Sequence, residues 1–493
     1  MAQTRLNRMQ KNASQSSPRS AFSAFISVPI ILALAVLLRV AIALYYGNIV
    51  DAPPLLTDQR SYHWLGMQLL EGQGFSFSRA WYPFTPANTP TAHWSFLYSL
   101  IVAAVYGIFG PHPLAMRLFQ AVAGGILLPA MVYRLTKTLF FYAPSHPLAP
   151  APTRPLPPSS TLPLIAAACA AGYGYFILYA ATIMTETFYI TTLLWSLEVA
   201  MRMGARLRAG ESVSWQLALE LGLSLGIATL LRQSILPWVP VLFLWLLINS
   251  YAAPHHPRTH SPAHPITQLF LAGLVLIACI APFTYRNYRV YGQFLLLNSN
   301  TGYAMYSAQH PMHGTSFHEF EAAPLPPGLD GLNEAQVDKA LLRQGFQFIL
   351  DDPGRYLLLS LSRVRAYFEF WPTADSTLVH NLGRVGSFGL FLPFMLYGLI
   401  LNLKISKSAN QQIRASQRTG KSVNHVSRIT HYALRITEPT ALLYFFILFY
   451  STLHIFTWAM VRYRLPVDAV ALPFAALAIE TLFTRLRRHF LSR

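Results

Sequence analysis

Long apolar runs separated by short polar segments make up most of this chain. Many of the runs are about 18–22 residues long, which is the length of an α-helix that crosses a lipid bilayer. The pattern predicts an all-α, polytopic membrane protein. About ten transmembrane helices are expected, at residues 24–46, 116–135, 161–181, 186–201, 214–231, 233–249, 266–283, 385–403, 440–460 and 465–484.

A further apolar run, residues 93–110 ("HWSFLYSLIVAAVYGIFG"), is also long enough to span. If it did, Arg134 and Lys137 would lie on the outer side, and the basic segments that follow would be inverted as well. We therefore assign this run to the first external loop, residues 47–115, as an interfacial or half-embedded helix.

The distribution of charge sets the orientation and excludes one class of partner. Only 11% of the residues are charged, against about 25% in soluble domains. The net charge of +18 comes from basic residues that lie mainly in short segments between apolar runs, rather than in one basic domain. This is the positive-inside pattern, so we predict membrane lipids and no nucleic acid as partners. It favours an inner or plasma membrane protein with both termini cytoplasmic and its active site on the outer face.

The same pattern divides the chain into four parts. Arg39 interrupts the first run, which favours an uncleaved anchor over a cleaved signal peptide. A helical break is expected near Pro353. The expected parts are a disordered cytoplasmic N-terminus (1–23), a catalytic transmembrane module (24–284), an external and largely helical segment (285–384), and C-terminal transmembrane helices (385–493) with a basic cytoplasmic insert (404–438).

Two acidic residues at the outer ends of apolar runs are candidates for chemistry, because an ionised group at membrane depth costs roughly 2.5–3.5 kcal/mol. Asp58 is either a helix-start acid stabilised by the helix dipole or a general base that faces a cavity at bilayer level. Glu186 has apolar residues on both sides, so its charged form needs a cation or a metal as partner. A helix-start carboxylate is the alternative for Glu186 too.

Arginines gather on the same outer side, where the positive-inside rule disfavours them. Arg232 ends one run, and it either binds phosphate bidentately or pairs with lipid headgroups. The segments "YRNYR" (285–289) and "RYR" (462–464) add further positive charge. External acids beside external arginines suit a phosphate-bearing lipid donor and a hydroxyl acceptor.

Several motifs, in order along residues 25–484, resemble those of one enzyme group. They are "TDQRSYHWLGMQLLEGQGF", "FLYSLIVAAVYGIFGPHPLAMRLFQAVAGG", "TETFYITTLL", "LLRQSILPWVP", "PFTYRNYRVYGQFLLLNSNTGYAMY" and "VRYRLPV". Together they resemble bacterial membrane glycosyltransferases of the GT-C superfamily, which are related to protein O-mannosyltransferases and lipid A aminoarabinose transferases.

The resemblance implies transfer of a sugar from a polyprenyl-phosphate or dolichyl-phosphate carrier to an acceptor on the outer face. It maps the catalytic base onto Asp58, a second carboxylate onto Glu186 and a carrier-phosphate ligand onto His93. Two departures concern the first loop: "HWSFLY" replaces the usual Pro-Pro before the half-embedded helix, and Gln59 stands where many members have a second acid. A single displacement would invert the anomeric configuration.

These arguments give a set of candidate site residues. The expected donor-phosphate ligands are His93, Arg232, Arg286, Arg462 and Arg464. The expected contacts to sugar or acceptor are Tyr62, His63, Trp94 and Asn287. The acceptor is a glycan, a lipid or a protein, and the sugar is unspecified, with a slight preference for a neutral hexose or pentose.

The need for a metal and the class of function are left open by the sequence. Asp58 and Glu186 could share a divalent cation, whereas the histidines of "HPMHGTSFHEF" (310–320) do not have a standard zinc spacing. A transporter or lipid flippase is the main alternative function, although its ionisable residues would be expected near the bilayer midplane. A non-catalytic membrane scaffold is a second alternative.

Overall fold

Helices dominate the computed structural model, which describes residues 27–51, 58–142, 161–251, 263–318, 321, 323–374, 376–418 and 438–491. Within these ranges there is no β-strand, only isolated bridges at Ser76–Pro90 and Trp81–Thr85. The predicted N-terminal segment 1–23 lies outside the described residues.

The helices follow one another along most of the described chain, and the longest connections are residues 71–95 and 314–333. They are α1 (Val28–Tyr46), α2 (Asp58–Leu70), α3 (Phe96–Phe109), α4 (Pro113–Phe141), α5 (Leu162–Gly172), α6 (Gly174–Ala180), α7 (Glu186–Arg208), α8 (Trp215–Leu231), α9 (Trp238–Tyr251), α10 (Ala263–Tyr291), α11 (Thr301–Gln309), α12 (Glu334–Asp351), α13 (Pro353–Tyr367), α14 (Leu378–Arg384), α15 (Leu390–Arg418), α16 (Pro439–Phe456) and α17 (Val461–Leu491).

Among the described residues, seven helical segments are long and apolar enough to cross a membrane, and the number is eight if the bent pair α5–α6 forms one span. The predicted polytopic, all-α fold class is confirmed, but the count of about ten spans is not. The two remaining predicted spans, 186–201 and 214–231, correspond to α7 and α8. Helix α7 carries charged residues that have partners inside the bundle, and α8 is only 17 residues long.

The predicted span 161–181 is two helices that meet at an angle of 58°. Arg39 of α1 is fully buried beside this break. Its guanidinium donates hydrogen bonds to the backbone oxygens of Ala170 and Ala171, at 3.2 and 3.0 Å. These carbonyls at the end of α5 would otherwise be unpaired in an apolar region, so Arg39 stabilises the break.

The apolar run 93–110 forms α3, a helix of 14 residues. At 1.5 Å per residue it is about 21 Å long, which is short of the ~30 Å hydrocarbon core. Its length therefore fits a half-embedded helix better than a span. The side chain of Ser95 caps its first turn by accepting a hydrogen bond from the backbone N–H of Tyr98.

The main bundle forms by close packing of α1 on α4, α8 on α7 and α10, and α15 on α17. Glycines permit two of these approaches. A Cβ at Gly125 would lie 2.7 Å from Val36 Cα, and one at Gly398 would lie 1.8 Å from the Phe474 carbonyl oxygen. Larger residues at either position would push the helices apart.

Charged side chains of α7 form ion pairs at two levels of the helix, with an uncharged stretch between them. Glu186 begins the helix. In the second half of the helix, Glu198 and Arg202 pair with each other and with Arg134 and Glu220 of the neighbouring helices. Glu186 and Arg202 are about 24 Å apart along the axis of α7. We call the end that contains Glu186 the site end.

The segment 285–384 packs α11 against α12 and continues into α13. Asn333 caps the start of α12 in a capping box with Gln336. The helix is interrupted before Pro353, where α13 begins. Two boundaries differ from expectation. Helix α10 runs to Tyr291, past the expected boundary at 284. Helix α15 runs to Arg418 and therefore continues into the predicted insert 404–438. Residues 419–437 of that insert lie outside the described ranges.

Candidate active site

An ion pair joins the first residue of α2 to the start of α17. Arg462 Nη1 donates a hydrogen bond to Asp58 Oδ2 at 2.5 Å, between residues 404 positions apart in the sequence. The side chain of Asp58 is 22% exposed and that of Arg462 is 13% exposed. The pair is therefore within reach of a ligand but only partly solvated.

A second ion pair joins α7 to the end of α8. Arg232 Nη2 donates to Glu186 Oε1 at 2.8 Å, and the Glu186 side chain is only 1% exposed. The other carboxylate oxygen, Glu186 Oε2, has no hydrogen-bond partner among the described residues. A buried and unsatisfied carboxylate oxygen indicates a ligand or water at this position.

The ring of Tyr463 connects the two pairs. The Arg232 guanidinium lies 4.9 Å from the ring centroid, and that of Arg462 lies 5.2 Å from it. Arg462 also interacts electrostatically with Glu186. We call Asp58, Glu186, Arg232 and Arg462 the four-charge cluster. Its formal charges cancel, and it brings together at the site end residues from three distant parts of the chain.

Hydrogen bonds to Gln59 explain why the two acids are neighbours. Gln59 is fully buried, and its Oε1 accepts from Ile183 N at 3.1 Å and from Arg117 Nη2 at 3.2 Å. Ile183 is three residues before Glu186, so these bonds fasten the start of α2 to the segment that leads into α7. An uncharged side chain at position 59 therefore has a structural role here.

Two of the predicted site residues, Tyr62 and His93, interact with the cluster, and a third, Trp94, packs against both of them. Tyr62 interacts electrostatically with Asp58 and Glu186, and its ring contacts Trp94 at a centroid distance of 5.7 Å. His93 interacts electrostatically with Asp58 and is hydrogen-bonded to the backbone of Ser299.

The charge state of His93 limits what it can offer a phosphate. Burial lowers the pKa of His93 to about 4, so the ring is neutral at physiological pH. Its Nδ1 and the indole Nε1 of Trp94 are buried, and neither has a hydrogen-bond partner in the described part of the chain. His93 can therefore hydrogen-bond a ligand but does not supply the positive charge that the resemblance implied.

Four other predicted site residues lie outside the cluster: Arg286, Asn287, His63 and Arg464. Arg286 donates to the Thr91 carbonyl at 2.9 Å, and Asn287 donates to the Leu297 carbonyl at 2.7 Å. His63 Nδ1 is 2.7 Å from the hydroxyl of Tyr106. These contacts hold the first loop and α3 in place.

Arg464 is fully buried and pairs with Asp468, one turn further along α17, at 3.1 Å. It also donates to the Tyr367 carbonyl at 2.6 Å and lies 3.5 Å from the ring centroid of Phe388. Arg462 and Arg464 therefore belong to different environments, although the motif "RYR" predicted the same role for both.

The sequence did not point to Tyr463 or to Glu334. Glu334, in the first turn of α12, accepts hydrogen bonds from Ala92 N at 2.8 Å, from Thr91 Oγ1 at 3.1 Å and from the Ser299 hydroxyl. Burial raises its pKa. Its partners lie up to 249 positions away, so only its helix-start position was readable from the sequence.

The described residues contain no group of three or more His, Cys, Asp or Glu side chains placed to hold a metal ion. In the histidine-rich stretch, His313 Nε2 is already 3.0 Å from the Ser307 carbonyl, and Glu319 lies outside the described residues. Arg462 and Arg232 already pair with one carboxylate oxygen of Asp58 and one of Glu186, respectively.

No protein-family model matches this chain, and a search of curated proteins finds no match either. Solved structures do match. The archaeal oligosaccharyltransferase AglB of Archaeoglobus fulgidus, in complex with an inhibitory peptide and a dolichol-phosphate, superposes with a TM-score of 0.53 at 12% identity, covering 96% of this chain and 52% of that one. An oligosaccharyltransferase from Archaeoglobus fulgidus in the apo form gives a TM-score of 0.53 at 14% identity, with the same coverage.

The chain has a GT-C fold. The polytopic GT-C fold that the motifs indicated is thus confirmed, and the protein is a multi-pass membrane protein. The chain spans about half the length of the oligosaccharyltransferase. ArnT from Cupriavidus metallidurans, bound to undecaprenyl phosphate, matches with a TM-score of 0.41 at 10% identity, over 92% of this chain and 60% of that one.

Proposed function

We propose that this protein transfers a sugar from a polyprenyl-phosphate-linked donor to a hydroxyl acceptor on the outer face of the membrane. The four-charge cluster is the observation that carries the proposal, because it puts two carboxylates and two guanidinium groups together at one end of a membrane bundle. Carboxylates suit the activation of a hydroxyl, and guanidinium groups suit a phosphate. The similar archaeal structure contains a dolichol-phosphate, a lipid carrier of the required chemistry.

Asp58 acts as the general base in this proposal. The acceptor oxygen attacks the anomeric carbon while Asp58 takes the hydroxyl proton. The bond between the anomeric carbon and the phosphate oxygen breaks, and the lipid phosphate leaves with the bonding electron pair. This single displacement inverts the anomeric configuration.

The ion pair of Asp58 couples proton removal to departure of the phosphate. When Asp58 gains the proton it becomes neutral and holds Arg462 less strongly. Negative charge grows on the leaving phosphate in the same step, so Arg462 gains a new anionic partner as it loses the old one. A cation already in place needs little reorganisation, which is the basis of electrostatic catalysis.

Glu186 serves to position groups rather than to take the proton. Its Oε1 pairs with Arg232 and so fixes the position of that guanidinium group in the cluster. Its free Oε2 can accept a hydrogen bond from a sugar hydroxyl. In this arrangement Arg232 and Arg462 bind the phosphate of the donor, and Glu186 binds its sugar.

The test is transfer of labelled sugar by the purified protein in lipid nanodiscs, with a panel of polyprenyl-phosphate hexoses and pentoses as donors. Asp58→Asn should lower the rate by about 10²–10⁴-fold, because that is the usual contribution of a general base. Asp51→Asn is a matched control, since Asp51 also pairs with an arginine, Arg60 at 2.7 Å, but on an exposed surface.

Full transfer by a well-folded Asp58→Asn protein would contradict the assignment. Nanodiscs have no closed compartment, so a transporter or flippase would show no product in this assay. If the wild-type protein instead moved the labelled lipid across sealed vesicles without transferring sugar, the transferase proposal would be wrong.

A further inference from the structure

A cavity of about 420 Å³ lies in the first loop, between the half-exposed aromatic residues that follow α2. Its volume falls in the range of about 300–1,000 Å³ that is usual for small-molecule sites. The lining has aromatic rings and two side-chain hydroxyls but no charged side chain. It consists of Ala80, Trp81, Tyr82, Pro83, Phe84, Thr85 and Pro86.

One wall of the cavity is fastened to the helix that carries Asp58. The indole Nε1 of Trp81 donates to Ser61 Oγ at 2.9 Å, and Ser61 is about one turn after Asp58 in α2. Phe77 stacks on Trp81 with ring centroids 4.6 Å apart, and the Arg79 guanidinium lies 4.9 Å from the indole centroid. These contacts fix the position of the Trp81 ring on one side of the cavity.

The opposite side is fastened to the segment 285–384. The Tyr82 hydroxyl donates to that of Tyr303 in α11 at 3.0 Å, and Thr85 Oγ1 donates to Glu334 in α12 at 3.4 Å. The loop is thus held from two independent elements, which preserves the shape of the cavity without a ligand.

Tyr82 connects the cavity to the four-charge cluster. Its side chain interacts electrostatically with both Asp58 and Tyr463. Tyr82 is 52% exposed, whereas Tyr62, which also interacts electrostatically with Asp58, is buried. Its ring is available to a molecule that enters from solvent and reaches Asp58.

We propose that this cavity binds a sugar ring of the acceptor, which makes the acceptor a carbohydrate-bearing molecule. This inference rests on the proposed function and names the substrate class of the same site. An aromatic ring packs on the apolar C–H face of a sugar, while the Tyr82 and Thr85 hydroxyls and the loop backbone bind its hydroxyl groups. The absence of charged lining residues suits a neutral ring. A sugar held against Tyr82 would present a hydroxyl to Asp58.

Binding is measured by saturation-transfer NMR with the full-length protein in nanodiscs and methyl glycosides of hexoses and pentoses as probes. The wild-type protein and Tyr82→Phe should transfer saturation to the glycosides, because both keep the ring. Tyr82→Ala should lose most of the transfer. Trp215→Ala removes an exposed aromatic of α8, away from the site end, and serves as the control for general aromatic loss.

Transfer kinetics provide the second readout. Tyr82→Ala should raise the KM for a glycan acceptor roughly 3- to 10-fold, as expected for one lost ring contact, and leave the KM for the donor unchanged. Tyr82→Phe should restore the acceptor KM. Equal changes in both KM values, or saturation of a serine- or threonine-containing peptide instead of the glycosides, would overturn the proposal.

The two proposals fail in different ways. Glycoside binding that depends on the Tyr82 ring, without sugar transfer from any donor, would refute the transferase and leave the cavity assignment standing. Sugar transfer with no saturation of any glycoside, and with an unchanged acceptor KM in Tyr82→Ala, would refute the cavity assignment alone.

Discussion

At the scale of single residues, the two ion pairs of the site differ in burial, and this difference sets what each can do. Asp58 and Arg462 are partly exposed, so they can exchange partners with a substrate. Glu186 is almost completely buried and depends on Arg232 to offset the cost of its charge. We therefore expect the first pair to affect turnover most and the second to affect stability as well.

Arg232→Gln should destabilise the protein by about 3–5 kcal/mol, because it leaves the carboxylate of Glu186 buried without a cation. The double variant Glu186→Gln with Arg232→Gln should recover most of this loss. Thermal unfolding in detergent measures both effects. Arg60→Gln, which breaks the exposed pair with Asp51, should cost no more than about 1 kcal/mol. A double variant as unstable as Arg232→Gln would show that the burial of Glu186 is not the cause.

At the scale of elements, α12 joins the first loop to the segment 285–384 through buried acids. Glu334 binds the loop around Thr91, and Asp338 Oδ1 accepts from Gly302 N at 2.7 Å. A Cβ at Gly302 would lie 1.8 Å from the Asp338 carbonyl, so the contact of α11 with α12 needs glycine there. Since the same loop carries His93 and the aromatic cavity, α12 positions one side of the site.

The burial of Asp338 makes this contact sensitive to pH. Burial raises its pKa from 3.8 to about 6, so the folded protein holds this proton more tightly than the unfolded chain does. The stabilisation is present in acid and is lost as the pH rises from about 4 through about 6. At pH 8 the ionised carboxylate costs on the order of 3 kcal/mol.

Asp338→Asn keeps an oxygen acceptor for Gly302 but cannot ionise. The variant should unfold at a higher temperature than the wild-type protein at pH 8, and the difference should shrink as the pH is lowered to 4. Burial lowers the pKa of His93, which has the opposite effect on stability, but His93 is present in both proteins and cancels in the comparison. A difference that is the same at all pH values would contradict the assignment.

At the scale of the whole molecule, the sequence predicted the type of fold better than the number of spans. Hydropathy identified the apolar helices, but α5 and α6 are separated by a bend that is stabilised by hydrogen bonds from Arg39 of another helix. Part of the candidate site could also be predicted from the sequence. Asp58 and Arg462 stood out because charges at the ends of apolar runs are costly.

Their pairing was not readable, because it joins positions 404 residues apart. The sequence also could not separate Arg462 from Arg464, since only packing decides which of the two faces the cluster and which faces Asp468. Glu334 was missed for the same reason, because its hydrogen bonds all reach across the fold. The local sequence pattern thus identifies charged residues that are energetically unfavourable at the ends of apolar runs. The tertiary contacts decide which of these residues form the site.

The two charged ends of the bundle give a test of orientation. The basic residues Arg134 and Arg202 lie at the end opposite the four-charge cluster, as the positive-inside rule requires if the site faces outward. Single cysteines are introduced at the exposed positions Ser78, at the site end, and Ser212, at the other end, in a background without Cys169 and Cys279. A membrane-impermeant maleimide should label Ser78→Cys in intact spheroplasts and Ser212→Cys only after permeabilisation. Labelling in the reverse order would put the cluster on the cytoplasmic face, where an outward-facing lipid-linked donor could not reach Arg462.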